Sequence, residues 1–241
     1  MTGNKYIFSG KMMPAFKDWA LEMAGIDLDN RSLIKKLMVA DPPRLNDDFL
    51  ETIGDNFSRI SFESKERTMH SHGHTLQEIW LLRNGKFPRF VDCVIYPYTT
   101  DHVEKIVAAA NTYDVVIIPY GGGTNVTKAV MPNPKEERMI VSLDMSRMNK
   151  VMHVNKENMT ATVQCGILGQ DLERELRKEN VVCGHEPDSH EFSTLGGWIS
   201  TKASGMKKNV YGNIEDIIIN FTIVTPVGTY THLVQNYERV S

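Results

Sequence analysis

A run of glycines directly behind a strand-sized apolar stretch is the feature of this chain that most restricts its fold. Val115, Val116, Ile117 and Ile118 form the stretch, and Pro119, Tyr120, Gly121, Gly122, Gly123, Thr124 and Asn125 follow at once. Three glycines in a row weaken a strand, so they serve either backbone freedom or the absence of side chains. Successive main-chain N–H groups in such a turn make a concave nest for an anion, and a pyrophosphate fills one well. A tight surface turn accounts for the glycines equally well. A dinucleotide fingerprint needs glycines that open a helix, with an acid about 20 residues on. Asp144 stands at a suitable distance, but Val126, Thr127, Met131, Pro132 and Pro134 break the segment after the glycines too often for a helix. No Gly-Lys-Ser/Thr follows either, which excludes a P-loop. Any phosphate held here is held by an irregular loop.

The segments around this loop have mixed periodicity. Cys93 to Tyr96 reads as a strand, Val103, Ile106, Val107 and Ala110 as the inner face of a helix, and Val115 to Ile118 as the strand that completes a β-α-β unit. Met139 to Leu143, Val151 to Val154 and Ala161 to Cys165 follow as short strands, and Leu168, Leu172 and Leu176 as a helical stripe. Residues 216–225 and 227–233 read as a hairpin. Upstream the spacing is helical. Phe16, Trp19, Ala20 and Met23 form one stripe and Leu33, Ile34, Leu37 and Met38 another, ended by Asp41-Pro42-Pro43. Thr75 and Glu78 make a capping box ahead of Leu76, Ile79, Trp80 and Leu81, and Asn84-Gly85 closes that helix.

A second polar, glycine-rich block runs from Gly184 to Gly205. Ser193, Thr194, Ser200, Thr201 and Ser204 supply hydroxyls, and Gly196-Gly197 permit close backbone approach. Taken singly, each is better explained by a helix cap or a packing contact. Taken together, they are equipment for gripping a polar ligand. His70, His72 and His74 alternate without a nearby carboxylate or thiol set, so a solvated loop is preferred to a metal site. Arg67 and the pair Lys207-Lys208 read as surface cations, and Cys165 and Cys183 as core thiols.

Composition excludes several classes. Lys+Arg 27 against Asp+Glu 30 gives a net charge of -3, with no basic excess to drive nucleic-acid binding. Three scattered cysteines form no disulfide framework and favour a reducing compartment. No apolar run approaches the roughly 18 residues of a membrane span, and the first residues lack the layout of a secretory signal.

Taken together, Pro119 to Thr124, Ser142-Leu143-Asp144, Gly184-His185-Glu186-Pro187-Asp188-Ser189, Glu191-Phe192-Ser193-Thr194, Gly196-Gly197-Trp198, Ala203-Ser204-Gly205-Met206-Lys207-Lys208-Asn209 and Tyr211-Gly212-Asn213-Ile214-Glu215-Asp216 closely resemble the alkyldihydroxyacetonephosphate (alkylglycerone-phosphate) synthase family. The glycine loop and the Gly-Gly block alone resemble the wider vanillyl-alcohol-oxidase class of flavoproteins. The resemblance implies an α+β, FAD-binding PCMH-type (vanillyl-alcohol-oxidase-like) domain over residues 87–241, preceded by a helical N-terminal region over 1–86, with FAD between two subdomains. The sequence ends at Ser241, before the family's Gly-Ser-Glu-Gly-type motif and its cap domain. The domain is therefore expected to be C-terminally incomplete, inactive alone and weak in FAD retention, and no catalytic residue is carried over.

By position, the family's FAD contacts fall on Pro119, Tyr120, Gly121, Gly122, Gly123, Thr124 and Asn125 around the pyrophosphate. They continue on Asp188, Ser189, His190, Glu191, Phe192, Ser193 and Thr194, and on Thr201, Lys202, Ala203 and Ser204. Asn125 stands where serine is usual, His190 where an apolar residue is usual and Lys202 where arginine is usual. No metal is implied. The family reaction exchanges the acyl chain of acyl-dihydroxyacetone phosphate for a long-chain fatty alcohol without net oxidation, and flavin N5 is implied as covalent partner to the substrate carbon. The resemblance further implies a peroxisomal enzyme, with peripheral membrane association and homodimerisation at full length. Two other readings stay open: an FAD-dependent 2-hydroxy-acid oxidase or dehydrogenase, and a non-catalytic truncated flavin-binding fragment.

Overall fold

The computed structural model describes residues 10–30 and 39–232. Contacts divide the chain into two units, Met1–Lys36 and Leu37–Ser241. In the first, α1 (Phe16–Ala24) stops where Gly25 turns left-handed at φ 63° and its N–H returns to the carbonyls of Ala20 and Leu21. Of the stripe expected to face inward, Ala20 is buried, while Phe16, Trp19 and Met23 are exposed. The second expected stripe, Leu33 to Met38, lies outside the described residues.

The second unit begins with α2 (Asp47–Ile53), β1 (Arg59–Ser61), α3 (Ser64–Met69) and α4 (Leu76–Arg83). It continues through β2 (Cys93–Tyr96), α5 (Thr100–Thr112), β3 (Val116–Tyr120) and β4 (Ile140–Asp144). The strands lie in the order β1-β2-β4-β3, with β1 antiparallel to β2 and the other pairs parallel. Every residue of β2 and β4 is buried. Strands apolar on both faces take the centre of a sheet, where neighbours and helices cover them. That requirement corrects the expected β-α-β unit: β2 and β3 are joined through α5 as anticipated, but β4 inserts between them. On one face α2 and α5 lay Phe49, Ile53, Val103 and Ile106 against Cys93, Ile95, Val141 and Leu143. Each such side chain contributes about 1.5–3 kcal/mol when fully removed from water. On the other face Val91, Val94, Tyr96 and Ile140 pack together.

The chain then forms an antiparallel pair, β5 (Val151–Asn155) and β6 (Thr160–Val163), followed by α6 (Gly169–Lys178) and α7 (Leu195–Thr201). Two single turns, α8 (Lys208–Tyr211) and α9 (Ile214–Ile217), lead to the hairpin of β7 (Phe221–Thr225) and β8 (Gly228–His232). Ile167, Leu172, Leu176, Trp198 and Ile214 make a second core beside the sheet core. The hairpin starts later than residue 216 because the Asp216 carboxylate accepts from the Asn213 N–H at 2.8 Å and holds α9 helical.

Two expectations for the upstream region are corrected. The boundary expected at 86/87 falls inside the second unit, because Arg59, Ile60 and Ser61 pair with Tyr96, Ile95 and Val94. The capping box at Thr75 and Glu78 is present, but α4 turns Leu76 and Trp80 outward and buries Glu78 completely. The Glu78 carboxylate accepts from the Gly73 N–H at 2.9 Å, the Thr75 N–H at 3.0 Å and the Thr75 hydroxyl at 2.6 Å. Those donors are what make a buried carboxylate tolerable.

Burial alone would raise the Glu78 pKa, yet bonds from Thr75 and Gly73 hold it below its ordinary value. A depressed folded-state pKa means stability that is present at neutral pH and lost as pH falls through that value. Glu78→Gln should therefore lower unfolding stability at pH 7 by about 1–3 kcal/mol. It should also flatten the acid limb of the stability profile, as urea titrations at several pH values would measure.

Candidate cofactor site

β3 delivers Tyr120 to the head of the glycine loop, where regular structure ends. Among the described residues, the main-chain N–H groups from Gly121 to Asn125 meet no acceptor. Buried or half-buried N–H groups are nearly always paired, so a run of free ones awaits water or an anionic ligand. Gly123 adopts φ 64°, a left-handed conformation that turns the loop back. The segment from Asn125 to Pro134 contains no helix, as its prolines predict.

The bare Cα positions of Gly121 and Gly122 do not make room for a ligand. A Cβ on Gly122 would sit 1.8 Å from the Phe192 carbonyl oxygen, and one on Gly121 would sit 2.2 Å from Thr194 Oγ1. The glycines instead admit the second polar block, which stacks main chain on main chain. Pro119 to Asn125 and Phe192 to Thr194, expected to share one site, are thus in direct contact.

Behind that contact the second block is held by local bonds. The Phe192 and Ser193 N–H groups donate to the Ser189 carbonyl at 2.9 and 2.7 Å, and Gly169 N–H donates to the Ser193 carbonyl at 3.1 Å. Thr194 caps α7 by accepting from Gly197 N–H at 3.2 Å. The Ser193 hydroxyl accepts from Trp198 Nε1 at 2.7 Å, while the hydroxyls of Ser200 and Thr201 donate to the carbonyls of Gly196 and Gly197. Most of the hydroxyls anticipated as ligand contacts therefore cap, brace or turn back on α7. Asp188 is exposed, and Ser189, His190 and Glu191 are half-buried on the approach to the contact. Thr201, Lys202 and Ser204 are exposed at the far end of α7, where Lys202 takes the left-handed cap at φ 50° and Ala203 packs against the second core.

Three groups were not legible as site components. His185 is 1% exposed, and neither ring nitrogen has a partner among the described residues. Its ring lies 5.0 Å from Trp198, on which His190 stacks at 6.2 Å with the planes 14° apart. Burial pushes the His185 imidazole down, and His190 acts in the same direction. Second, His70 is buried rather than solvated: Nε2 lies 2.7 Å from Asp144 Oδ2, and the ring sits 4.3 Å from that of Tyr120. Third, His74 N–H donates to the Asn125 carbonyl at 2.8 Å, and a Cβ on Gly73 would lie 2.5 Å from that oxygen. The histidine segment thus braces the far end of the glycine loop, and no group of three metal-ligating side chains forms among the described residues.

Other expectations divide. Arg67 is buried, donating from Nε to the Val91 carbonyl at 2.8 Å, because α3 packs against the entry to β2. Lys207 pairs with Glu186 at 2.5 Å. Burial raises the pKa of both Cys165 and Cys183, which leaves them poor nucleophiles.

A family model described as FAD binding domain matches residues 91–233. Alkyldihydroxyacetonephosphate synthase of Caenorhabditis elegans is 46% identical over 229 residues, covering 94% of this chain and 38% of that protein. The protein of the same name from Dictyostelium discoideum is 42% identical over 191 residues, 78% of this chain and 31% of its own length. A solved alkyldihydroxyacetonephosphate synthase superposes with a TM-score of 0.86 at 37% identity, over 93% of this chain and 43% of that one. The chain therefore spans well under half of each of these relatives.

The loop contact makes a sharp distinction between two neighbouring glycines. Gly121→Ala meets a side chain and should cost about 1–3 kcal/mol as an overpacked contact. Thr194→Gly should relieve most of that cost, since glycine at an N-cap loses only a few tenths. Gly122→Ala meets main chain at Phe192, and no side-chain truncation should rescue it. Denaturation midpoints of the single and double variants measure the difference.

His185 generates a pH effect of opposite chemistry to that of Glu78. Its folded-state pKa is depressed, so the native state binds fewer protons and loses stability as pH drops below the ordinary histidine value. The thermal midpoint should be lower at about pH 5 than at pH 7.5, and His185→Leu should shrink that difference.

Proposed function

The chain belongs to the FAD binding domain family, with FAD as its cofactor, and from that premise we propose that it forms the flavin-holding part of an alkylglycerone-phosphate synthase. Its fold is the α+β, PCMH-type flavin fold that the motifs imply. The proposed reaction replaces the acyl chain of acyl-dihydroxyacetone phosphate with a long-chain fatty alcohol, releasing a fatty acid and leaving an ether. The observation that carries the reading is the row of unpaired N–H groups from Gly121 to Asn125, shaped by contact with Phe192 to Thr194. Similarity to synthases of 46% and 42% identity supports the choice of reaction.

The residues present suit the cofactor. Free backbone donors on a fixed loop favour a diphosphate, because charge-assisted bonds to N–H groups are stronger than neutral ones. Asp188 to Glu191 lie on the approach to the same contact, and Thr201, Lys202 and Ser204 offer polar groups at the other end of α7. When bound, the flavin supplies covalent chemistry at the substrate carbon. The chain supplies placement and a preorganised polar setting. On this reading turnover also needs the part of the synthases that this chain does not span, and the full-length enzyme is peroxisomal, peripherally attached to membrane and dimeric.

Two measurements test the proposal. In titrations of the chain followed by flavin fluorescence, FAD should bind at least about a hundredfold more tightly than riboflavin, because riboflavin lacks the groups the nest would hold. Equal affinities would sink the nest. For activity, the chain is fused to the complementary segment of the Caenorhabditis elegans relative and supplied with acyl-dihydroxyacetone phosphate and hexadecanol under nitrogen. Ether product and free fatty acid should form without an electron acceptor. Turnover of a 2-hydroxy acid that demands an acceptor would replace this reading with an oxidase.

A further inference from the structure

We propose that His70 is an imidazolium, and that its ion pair with Asp144 is a buried post on which Tyr120 rests, making His70 a positioning residue for the glycine loop. The state of His70 follows from what its ring nitrogens face. Nδ1 lies 2.8 Å from the main-chain carbonyl oxygen of Glu66, which can only accept. Nε2 lies 2.7 Å from Asp144 Oδ2. The other Asp144 oxygen accepts from the Ser146 N–H at 2.7 Å. Two acceptors facing two ring nitrogens call for an N–H on each. His70 and Asp144 are 7% and 6% exposed, so each charge is compensated chiefly by the other.

Among the described residues, no competing charge is seen in contact with the ring. On its own helix, the Glu66 carboxylate is taken up by Arg59 and by the Tyr96 hydroxyl at 3.2 Å. From β2, Tyr96 meets His70 edge-on at 6.1 Å. From β3, Tyr120 covers it at 4.3 Å, close enough for the cation to engage the ring face. Both phenols stay neutral at ordinary pH: burial, with Asp144 adding to it, raises both, Tyr120 to about 12.

Tyr120 passes the constraint to the loop. A Cβ on Gly123 would lie 2.3 Å from the Tyr120 hydroxyl, and that hydroxyl donates to the Met69 carbonyl at 3.4 Å. The Tyr120 ring is therefore held between the charged pair on one side and the turn of the glycine loop on the other. His70 lies outside the matched family domain, which begins at residue 91.

The inference rests on the flavin reading only in its final consequence, so the experiment separates the two. In the isotope-labelled chain at neutral pH, both His70 ring nitrogens should show the ¹⁵N shifts of protonated nitrogens; one unprotonated nitrogen overturns the charged state, and this measurement needs no variant to fold. In H70Q and in D144N, backbone order parameters over residues 121–125 should fall from near 0.85 to below about 0.6. The double variant H70Q/D144N should loosen the loop less than D144N alone, because it leaves no uncompensated buried charge. Strictly additive effects, or an H70Q loop as ordered as the wild type, overturn the positioning role. FAD affinity should drop about tenfold in each single variant. A loosened loop with unchanged FAD affinity would leave the post standing and remove the flavin from this loop.

Discussion

Where Gly122 meets Phe192, two stretches of main chain touch with no side chain between them, and the rest of the site depends on that contact. A methyl group there would overlap a carbonyl oxygen, and a carbonyl cannot rotate away as a side-chain tip can. The contact joins the end of β3, at the edge of the four-stranded sheet, to the entry of α7, whose Trp198 anchors the second core. Neither core could supply the site by itself. The sheet core presents the free N–H groups, and the second core sets the surface against which they are shaped. Glycine at Gly121 and Gly122 is thus a packing requirement.

The polar groups around this contact obey one rule in two forms. Buried charge is tolerated where it is fully compensated, as with Glu78 under its three donors and Asp144 between His70 and the Ser146 N–H. Where no partner is available, the group stays uncharged: burial drives the His185 imidazole toward its neutral form. Both arrangements lie on segments that contact the glycine loop. Upstream, charged pairs brace it; downstream, aromatic rings around Trp198 and a helix cap do so. Such networks hold geometry tightly when satisfied and fail sharply when one member is removed.

Local signals in the sequence were reliable where the cause was local. The Thr75-Glu78 capping box, the stop at Asn84-Gly85, a strand read at Val115 to Ile118 and found at Val116–Tyr120, and the broken segment after Asn125 follow from residues within a few positions of one another. The pairing of Pro119 to Asn125 with Phe192 to Thr194 was also legible, though through resemblance rather than spacing. What stayed hidden was set by distant partners. Nothing near Arg67 announces the Val91 carbonyl, and nothing near His70 announces Asp144, which lies 74 positions on. The burial of Glu78 was hidden for a related reason: the capping box announces its bonds to Thr75, but nothing near it announces the Gly73 N–H or the complete enclosure. The insertion of β4 between β2 and β3 is likewise a matter of which strand is apolar on both faces, and a β-α-β pattern alone does not reveal it.

These long-range partners also change what counts as the flavin domain. The matched family region starts at residue 91, yet the loop it contains is braced from outside. β1 completes the sheet edge beside β2, α3 places His70 under Tyr120, and the turn before α4 pins Asn125 through His74. Ser71 extends the same connection, accepting from the Val91 N–H at 2.9 Å with its hydroxyl while donating to the Arg67 carbonyl at 2.6 Å. A cut at residue 87 would leave β2 an exposed edge and remove the compensating charge from Asp144. The physical unit therefore begins near residue 39, and the segment up to 90 is part of the wall of the glycine loop rather than a helical preface to it.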